Sequence, residues 1–271
     1  MSRLDRSKGA PLAYRTYSAP GAVAVLAVHG SSATSTSLHP LGIGLQRAGI
    51  AVYTFDVRGH GASEPRGTVA YRGQLDDDLR ALAEAIRKQR PGIRLGLLGF
   101  SSGGGYALHV AGSELGNLFD FHVFLAPFLG LVDGVTRLDG GWAVANIPRI
   151  VALSAVSRLG LTAFDNLPVL AFAIDPKLSD TLTGAYSFAL FREFRTADFA
   201  RDLAGVRKPA AVLVGADDQL FYAEALAKAV QKVRADIAVE LVPGLDHIRL
   251  TTAPEGLAAV TRTIERLAGR P

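Results

Sequence analysis

One serine in this chain is crowded by glycines: Gly99-Phe100-Ser101-Ser102-Gly103, the pattern G-x-S-x-G. The chemistry this pattern serves is nucleophilic attack. It demands a turn between strand and helix so sharp that the serine backbone is strained and its hydroxyl is held out at the strand's carboxyl end. The flanking glycines make room, because a Cβ at either place would clash with the neighbouring strand or helix. The apolar run Leu95 to Leu98 precedes the serine, and a helix-like segment from about Gly104 to Ala111 follows it. Ser101 is therefore read as a nucleophile.

A serine hydroxyl is a poor nucleophile near neutral pH, so it needs a base and a third group to orient that base. Of the six histidines, His109 and His122 fall within an expected helix and strand, where a packed, hydrogen-bonded role is expected, and His39 sits at a helix start. His247 follows Pro243-Gly244-Leu245-Asp246, in a loop after the last expected strand. Loops at the carboxyl ends of parallel strands are where an α/β sheet collects its active site, so His247 is the base. The acid should come from a similar loop between Ser101 and His247. Gly215-Ala216-Asp217-Asp218 offers two candidates whose side chains point apart, and Asp133 is a third; Asp246 is too close in sequence to aim at its neighbour's ring. An oxyanion formed at Ser101 needs two backbone N–H groups. The Ser102 amide, at the amino end of a helix, supplies one, and the Ser31 amide in His29-Gly30-Ser31 supplies the other.

These residues must be positioned by a parallel sheet. Strands are expected at Leu12 to Tyr17 (an edge), Ala22 to Val28, Ala51 to Phe55, Leu95 to Leu98, Phe121 to Ala126, Ala210 to Val214 and Ala238 to Val242. Between them, apolar residues recur at helical spacing: Leu38, Leu41, Leu45 and Ala48; Leu75, Leu79, Leu82 and Ile86; Tyr222, Leu226, Val230 and Val233; Leu257, Val260, Ile264 and Leu267. Apolar strands alternating with amphipathic helices predict a mostly parallel α/β sheet with helices on both faces. Residues 1–127 and 207–271 read as its core. From 128 to 206 the rhythm breaks, with no convincing strand and with Pro148, Pro168 and Pro176 interrupting apolar helical material, which reads as an insertion.

Composition narrows the chemistry. The chain has 271 residues, 49% hydrophobic and 20% charged, a globular balance. Its net charge of +4 is scattered rather than clustered on one face, which argues against a nucleic-acid partner. With no cysteine, disulfides, thiolate nucleophiles and cysteine metal sites are excluded. Asp76, Asp77 and Asp78 are consecutive on an expected helix and point about 100° apart, so they suit the helix dipole and not a metal. The N-terminus shows no secretory pattern and the stretch Val144 to Ile174 is broken by charges and proline, so no spanning helix is expected and a cytoplasmic location is the default. Peripheral contact with lipid is compatible with the sequence, and the oligomeric state is not written in it.

At this point the chain resembles the α/β-hydrolase family, in particular its serine esterases and monoglyceride lipase or lysophospholipase-like members. Four motifs match in order: His29-Gly30-Ser31, the Asp56 to Ser63 loop D-x-R-G-H-G-x-S, Gly99 to Gly103, and Gly215 to Asp218 followed by His247. The resemblance implies a triad of Ser101, an aspartate and His247, with no metal and no organic cofactor. The family places the acid three residues after the glycine, which favours Asp218 over Asp217. It also implies that residues 128–206 form a helical cap over the site. The expected reaction is hydrolysis of a carboxylic ester through an acyl-enzyme, on a small hydrophobic or acyl substrate. The cap aromatics Phe128, Trp142, Phe164, Phe172, Phe188, Phe191 and Phe194 supply the apolar surface. The same triad would serve a thioester, amide, lactone or carbon–carbon bond, and a hydrolase fold can also act as a ligand receptor.

Overall fold

The computed structural model describes residues 1–5, 10–130, 132, 134–137 and 141–269. Eleven strands are described: β1 (Ser2–Leu4), β2 (Leu12–Tyr17), β3 (Val23–Val28), β4 (Ala51–Phe55), β5 (Arg94–Phe100), β6 (Phe121–Leu125), β7 (Ala143–Ala145), β8 (Pro168–Phe172), β9 (Ala185–Ser187), β10 (Ala210–Gly215) and β11 (Ala238–Val242). The described α-helices are α1 (His39–Arg47), α2 (Gln74–Gln89), α3 (Ser102–Ala111), α4 (Ile147–Arg158), α5 (Phe188–Glu193), α6 (Phe199–Ala204), α7 (Ala223–Val233), α8 (Arg249–Thr252) and α9 (Pro254–Leu267).

Eight strands form one sheet in the order β1-β2-β4-β3-β5-β6-β10-β11. β1 pairs antiparallel with β2 and β2 antiparallel with β4, while β4, β3, β5, β6, β10 and β11 run parallel to one another. Every residue of β3, β4 and β6 is buried, as strands covered on both faces require. The helices cover the sheet in groups: α1, α8 and α9 pack together, and α3 packs on α6, which in turn meets α7. Leu75, Leu79, Leu82 and Ile86 form the buried stripe of α2.

The register decides where chemistry can gather. Val28 of β3 pairs with Gly99 of β5, and Phe100 of β5 with Leu125 of β6. Leu125 pairs in turn with Leu213 of β10, whose last residue Gly215 meets Val242 of β11. The carboxyl ends of β3, β5, β6, β10 and β11 therefore lie on one edge. After β3 the chain moves to one side for β4 and then crosses back over β3 to place β5, which makes the gap between β3 and β5 the switch point where open α/β sheets bind ligands.

Several local expectations are corrected. Leu12–Tyr17 is a strand but not the edge, because Ser2–Leu4 pairs outside it. Tyr222 does not lie on the apolar face of α7; it caps that helix and is 45% exposed. The stretch 128–206 is not wholly helical, since β7, β8 and β9 form a separate three-stranded antiparallel sheet beside α4 and α5. The prolines that read as interruptions have positions that suit them: Pro148 lies in the first turn of α4, where no helical N–H is lost, and Pro168 is the first residue of β8. Within the same stretch α6 packs on α3 and α7 rather than on the small sheet. Among the described residues, no helix is long and apolar enough to cross a membrane.

Candidate active site

Ser101 sits between β5 and α3 with φ 57° and ψ −122°, a conformation that costs a non-glycine residue about 1–3 kcal/mol. The neighbouring glycines let the turn close. A Cβ on Gly99 would stand 2.2 Å from the Gly103 carbonyl oxygen, and one on Gly103 would stand 2.2 Å from that of His29. The Ser101 amide donates to the Leu125 carbonyl at 2.9 Å, and the Ser101 carbonyl accepts from the amides of Gly105 and Phe128. The strained residue is thus held on both sides by backbone bonds.

Asp218 and His247 meet across the ends of β10 and β11. Asp218 Oδ2 is 2.7 Å from His247 Nδ1, and both residues are 2% exposed. The other oxygen, Oδ1, accepts from the amides of Leu220 and Phe221 at 2.8 and 2.9 Å, so the carboxylate is fixed by its own loop. The His247 amide donates to Gln219 Oε1, and its ring lies against Phe100, 4.7 Å between centroids, next to Ser101, and against Phe221 at 5.4 Å. A carboxylate on Nδ1 fixes the tautomer with the proton there and leaves Nε2 as the basic nitrogen. Asp217 is exposed, and Asp133 lies outside the described residues.

The loop after β3 approaches from the other side. A Cβ on Gly30 would be 3.1 Å from the Cβ of Ser101. The Ser31 and Ser102 hydroxyls are hydrogen-bonded to each other at 2.5 Å, which ties the two residues expected to supply oxyanion donors. The Ser32 amide is already engaged, donating to the Tyr186 hydroxyl at 2.6 Å. Neither the Ser31 nor the Ser102 amide is bonded to another described residue.

The D-x-R-G-H-G-x-S loop is a structural clamp. Asp56 Oδ1 accepts from the Ser35 amide and Oδ2 from that of Ala62, joining the loops after β3 and β4. Arg58 forms a two-pronged ion pair with Asp78 at 2.9 and 3.2 Å and also donates to the Glu64 carbonyl. His29 donates from Nδ1 to the Gly30 carbonyl while its Nε2 accepts from the Val57 amide. Burial holds His29 and His60 below the usual histidine range, so both rings are neutral near pH 7.

The remaining histidines and the aspartate run have partners of their own, with one exception. His39 bonds the Tyr17 hydroxyl, and His109 bonds Asp202. Asp76 accepts from Tyr106 Oη, Asp77 from Tyr71 Oη, and Asp78 is held by Arg58. His122 departs from expectation: it is packed, stacked on Phe124, but among the described residues neither ring nitrogen has a hydrogen-bond partner. Its burial lowers its pKa to about 3.

Above the serine lies a cavity of about 660 Å³. Ser31, Ser101 and Ser102 form part of its wall, and Phe128, Trp142, Phe172 and Phe191 line it. Phe188 and Phe194 are buried in packing instead, and Phe164 is 54% exposed. Tyr186, Gln219, Arg137 and Arg195 were not singled out by sequence, because each reaches the site through a contact distant in the chain.

A parallel sheet whose switch point carries a strained serine, with a histidine and a buried aspartate at the next strand ends, defines an α/β-hydrolase. Residues 20–251 match the model of the family described as serine aminopeptidase, S33, and the chain belongs to that family. Among solved structures it is similar to a monoglyceride lipase from Saccharomyces cerevisiae, with TM-score 0.73 and 18% identity over 98% of this chain and 94% of that one. A monoacylglycerol lipase from Paleococcus ferrophilus gives TM-score 0.69 and 19% identity, covering 95% and 98%. A putative aryl esterase from Burkholderia cenocepacia gives TM-score 0.71 and 19% identity, covering 99% of both chains.

Proposed function

We propose that this protein hydrolyses a carboxylic ester through an acyl-enzyme, with Ser101 as nucleophile, His247 as base and Asp218 as the acid that orients it. The observation that carries the reading is the buried 2.7 Å contact of Asp218 with His247 Nδ1, at the sheet edge that also bears the strained Ser101. Ser101 Oγ attacks the carbonyl carbon as its proton passes to His247 Nε2. The amides of Ser31 and Ser102 hold the oxyanion, a contribution typically of about 3–4 kcal/mol per donor removed. Collapse expels the alcohol, which takes the proton from Nε2. Water then repeats the sequence and frees the acid.

Residues 128–206 act in this reading as a cap that encloses the substrate, and the apolar walls of the cavity favour a hydrophobic acyl or alcohol part. The lipase and esterase neighbours support the same class of substrate. The test is a rate survey over esters of increasing acyl length, with a thioester and an amide included, on the wild type and Ser101→Ala. Turnover should fall by roughly four to six orders of magnitude in the variant. Wild-type turnover in Ser101→Ala would refute the mechanism.

A second reading concerns where the substrate is met. Val144, Ile147, Val151, Leu159, Leu161 and Phe164 are each between 47% and 79% exposed, an apolar face on and beside α4 that suits contact with a lipid surface. Co-sedimentation with phosphatidylcholine vesicles, lost in Val151→Ser/Leu159→Ser/Phe164→Ser, would support it; wild-type protein remaining in the supernatant would exclude it.

A further inference from the structure

Two arginines stand out in the apolar cavity over Ser101. Arg137 and Arg195 both line it, and among the described residues neither forms an ion pair. The acidic residues closest to Arg195 in the sequence make other contacts: Glu193 accepts the Gly73 amide through Oε1, its Oε2 having no hydrogen-bond partner among the described residues, Asp198 accepts the Arg201 amide, and Asp202 meets His109, Thr196 and Arg201. Asp133 and Asp139, near Arg137, lie outside the described residues. Among the described residues the Nε atoms of both arginines, sealed from solvent, have no hydrogen-bond partner, and the Nη donors of neither are engaged by a described residue. A cation in an apolar wall with unused donors is expensive unless something arrives to satisfy it.

Their setting orients them. The Arg137 guanidinium stacks on the Tyr222 ring at 3.9 Å, and that of Arg195 on the Phe191 ring at 4.5 Å. Stacking occupies the face of a guanidinium and leaves the donors on its edge available. Both are also anchored to the catalytic elements. The Arg137 amide donates to the Leu220 carbonyl, two residues beyond Asp218, and residues 136 and 221 form a β-bridge there. Arg195 precedes Thr196, whose backbone nitrogen faces Gly105 in the first turns of α3. The cavity thus has the proposed nucleophile in its wall and two fork-shaped cations carried by different segments of the chain.

We propose that the substrate is an ester carrying a carboxylate at the far end of its apolar body, and that Arg137 and Arg195 receive that carboxylate and select for it. A planar fork matches a carboxylate with two parallel N–H···O bonds, which no neutral chain end can use. The selection rests on the reading of Ser101 as the nucleophile, but the binding half of it does not.

The test compares two pairs of single esters: monomethyl adipate against methyl hexanoate, with the charge on the acyl side, and 4-acetoxybutanoate against butyl acetate, with the charge on the alcohol side. In the wild type, kcat/KM for the anionic member of at least one pair should exceed that of its neutral partner about tenfold or more. Arg137→Gln and Arg195→Gln should each cut that ratio, the double variant should reverse it, and Arg195→Lys should restore part of it. Ratios at or below one in the wild type, or a preference that survives the double substitution, would overturn the proposal. Calorimetric titration of Ser101→Ala with the same four esters separates the two ideas. If no ester is turned over by the wild type, tighter binding of an anionic member that vanishes on adding Arg137→Gln/Arg195→Gln still supports the arginine site, and equal binding overturns it.

Discussion

The Tyr186 hydroxyl, carried on β9 of the small sheet, lies 2.6 Å from His60 Nε2 in the loop after β4. The direction of each bond follows from its neighbours. His60 Nδ1 faces the carbonyls of Val57 and Arg58 and must donate, so in the neutral ring Nε2 accepts and Tyr186 donates. The same phenolic oxygen accepts the Ser32 amide, beside the proposed oxyanion donor Ser31. One residue of the small sheet therefore ties the loop after β3 to the loop after β4.

Tyr186→Phe should leave the Ser32 amide and His60 Nε2 buried without partners. We expect a stability loss of about 2–4 kcal/mol by urea unfolding. Ester turnover should fall about tenfold in kcat with little change in KM, since the donor loosened acts on the oxyanion more than on the bound ester. A change confined to KM would place Tyr186 in substrate binding instead.

Asp218→Asn should lower kcat by about three to four orders of magnitude, because an amide in that place no longer favours the tautomer with the proton on Nδ1. Asp217→Asn, at an exposed position, should stay within about twofold of wild type. Steady-state ester hydrolysis of the two variants side by side checks this. The reverse ranking would reassign the acid.

Arg58 and Asp78 are both fully buried, so removing Asp78 leaves the Arg58 charge buried without its carboxylate. Asp78→Ala should cost about 3–5 kcal/mol in urea unfolding, and Arg58→Met/Asp78→Leu should recover much of that loss because it removes both charges. A double variant as unstable as the single one would show that the carbonyl bonds of Arg58 matter more than its ion pair.

His122 contributes a pH dependence whose sign is fixed by burial. Its pKa is about 3 in the folded protein, against about 6.5 when unfolded. Between those values the unfolded chain binds a proton that the folded protein refuses. The stability tied to His122 is thus complete above about pH 6.5 and is lost as pH falls towards 3. His122→Leu removes both the two unpaired nitrogens and this titration. It should melt higher than wild type at pH 7, with a margin that widens on acidification in thermal melts from pH 7 to pH 4.

Much of this molecule is legible one residue after another. Buried strands such as Val23–Val28 and Phe121–Leu125 announce themselves as unbroken apolar runs, and α2 by its stripe at helical spacing, because burial on two faces or one leaves a period in the chain. The turn at Ser101 is legible for the same local reason: only glycine at 99 and 103 permits the approach of backbone that the turn needs. The small sheet was not legible. Its strands are three to five residues long and partly exposed, so they carry too little periodicity, and prolines at a helix start and a strand start look like breaks.

What only the tertiary structure decided is which groups share a partner. Asp217 and Asp218 are neighbours in the chain, and the motif's spacing ranks one above the other without saying what either touches; the fold buries Asp218 against His247 and leaves Asp217 exposed. His60 and Tyr186 are 126 residues apart and have no common motif. Arg137 and Arg195 read as two of many scattered basic residues until the fold places both in one apolar cavity. A sequence determines by itself what neighbouring backbone and side chains require of each other. Hydrogen bonds and charges across distant segments depend on burial, and burial exists only once the sheet has brought those segments together.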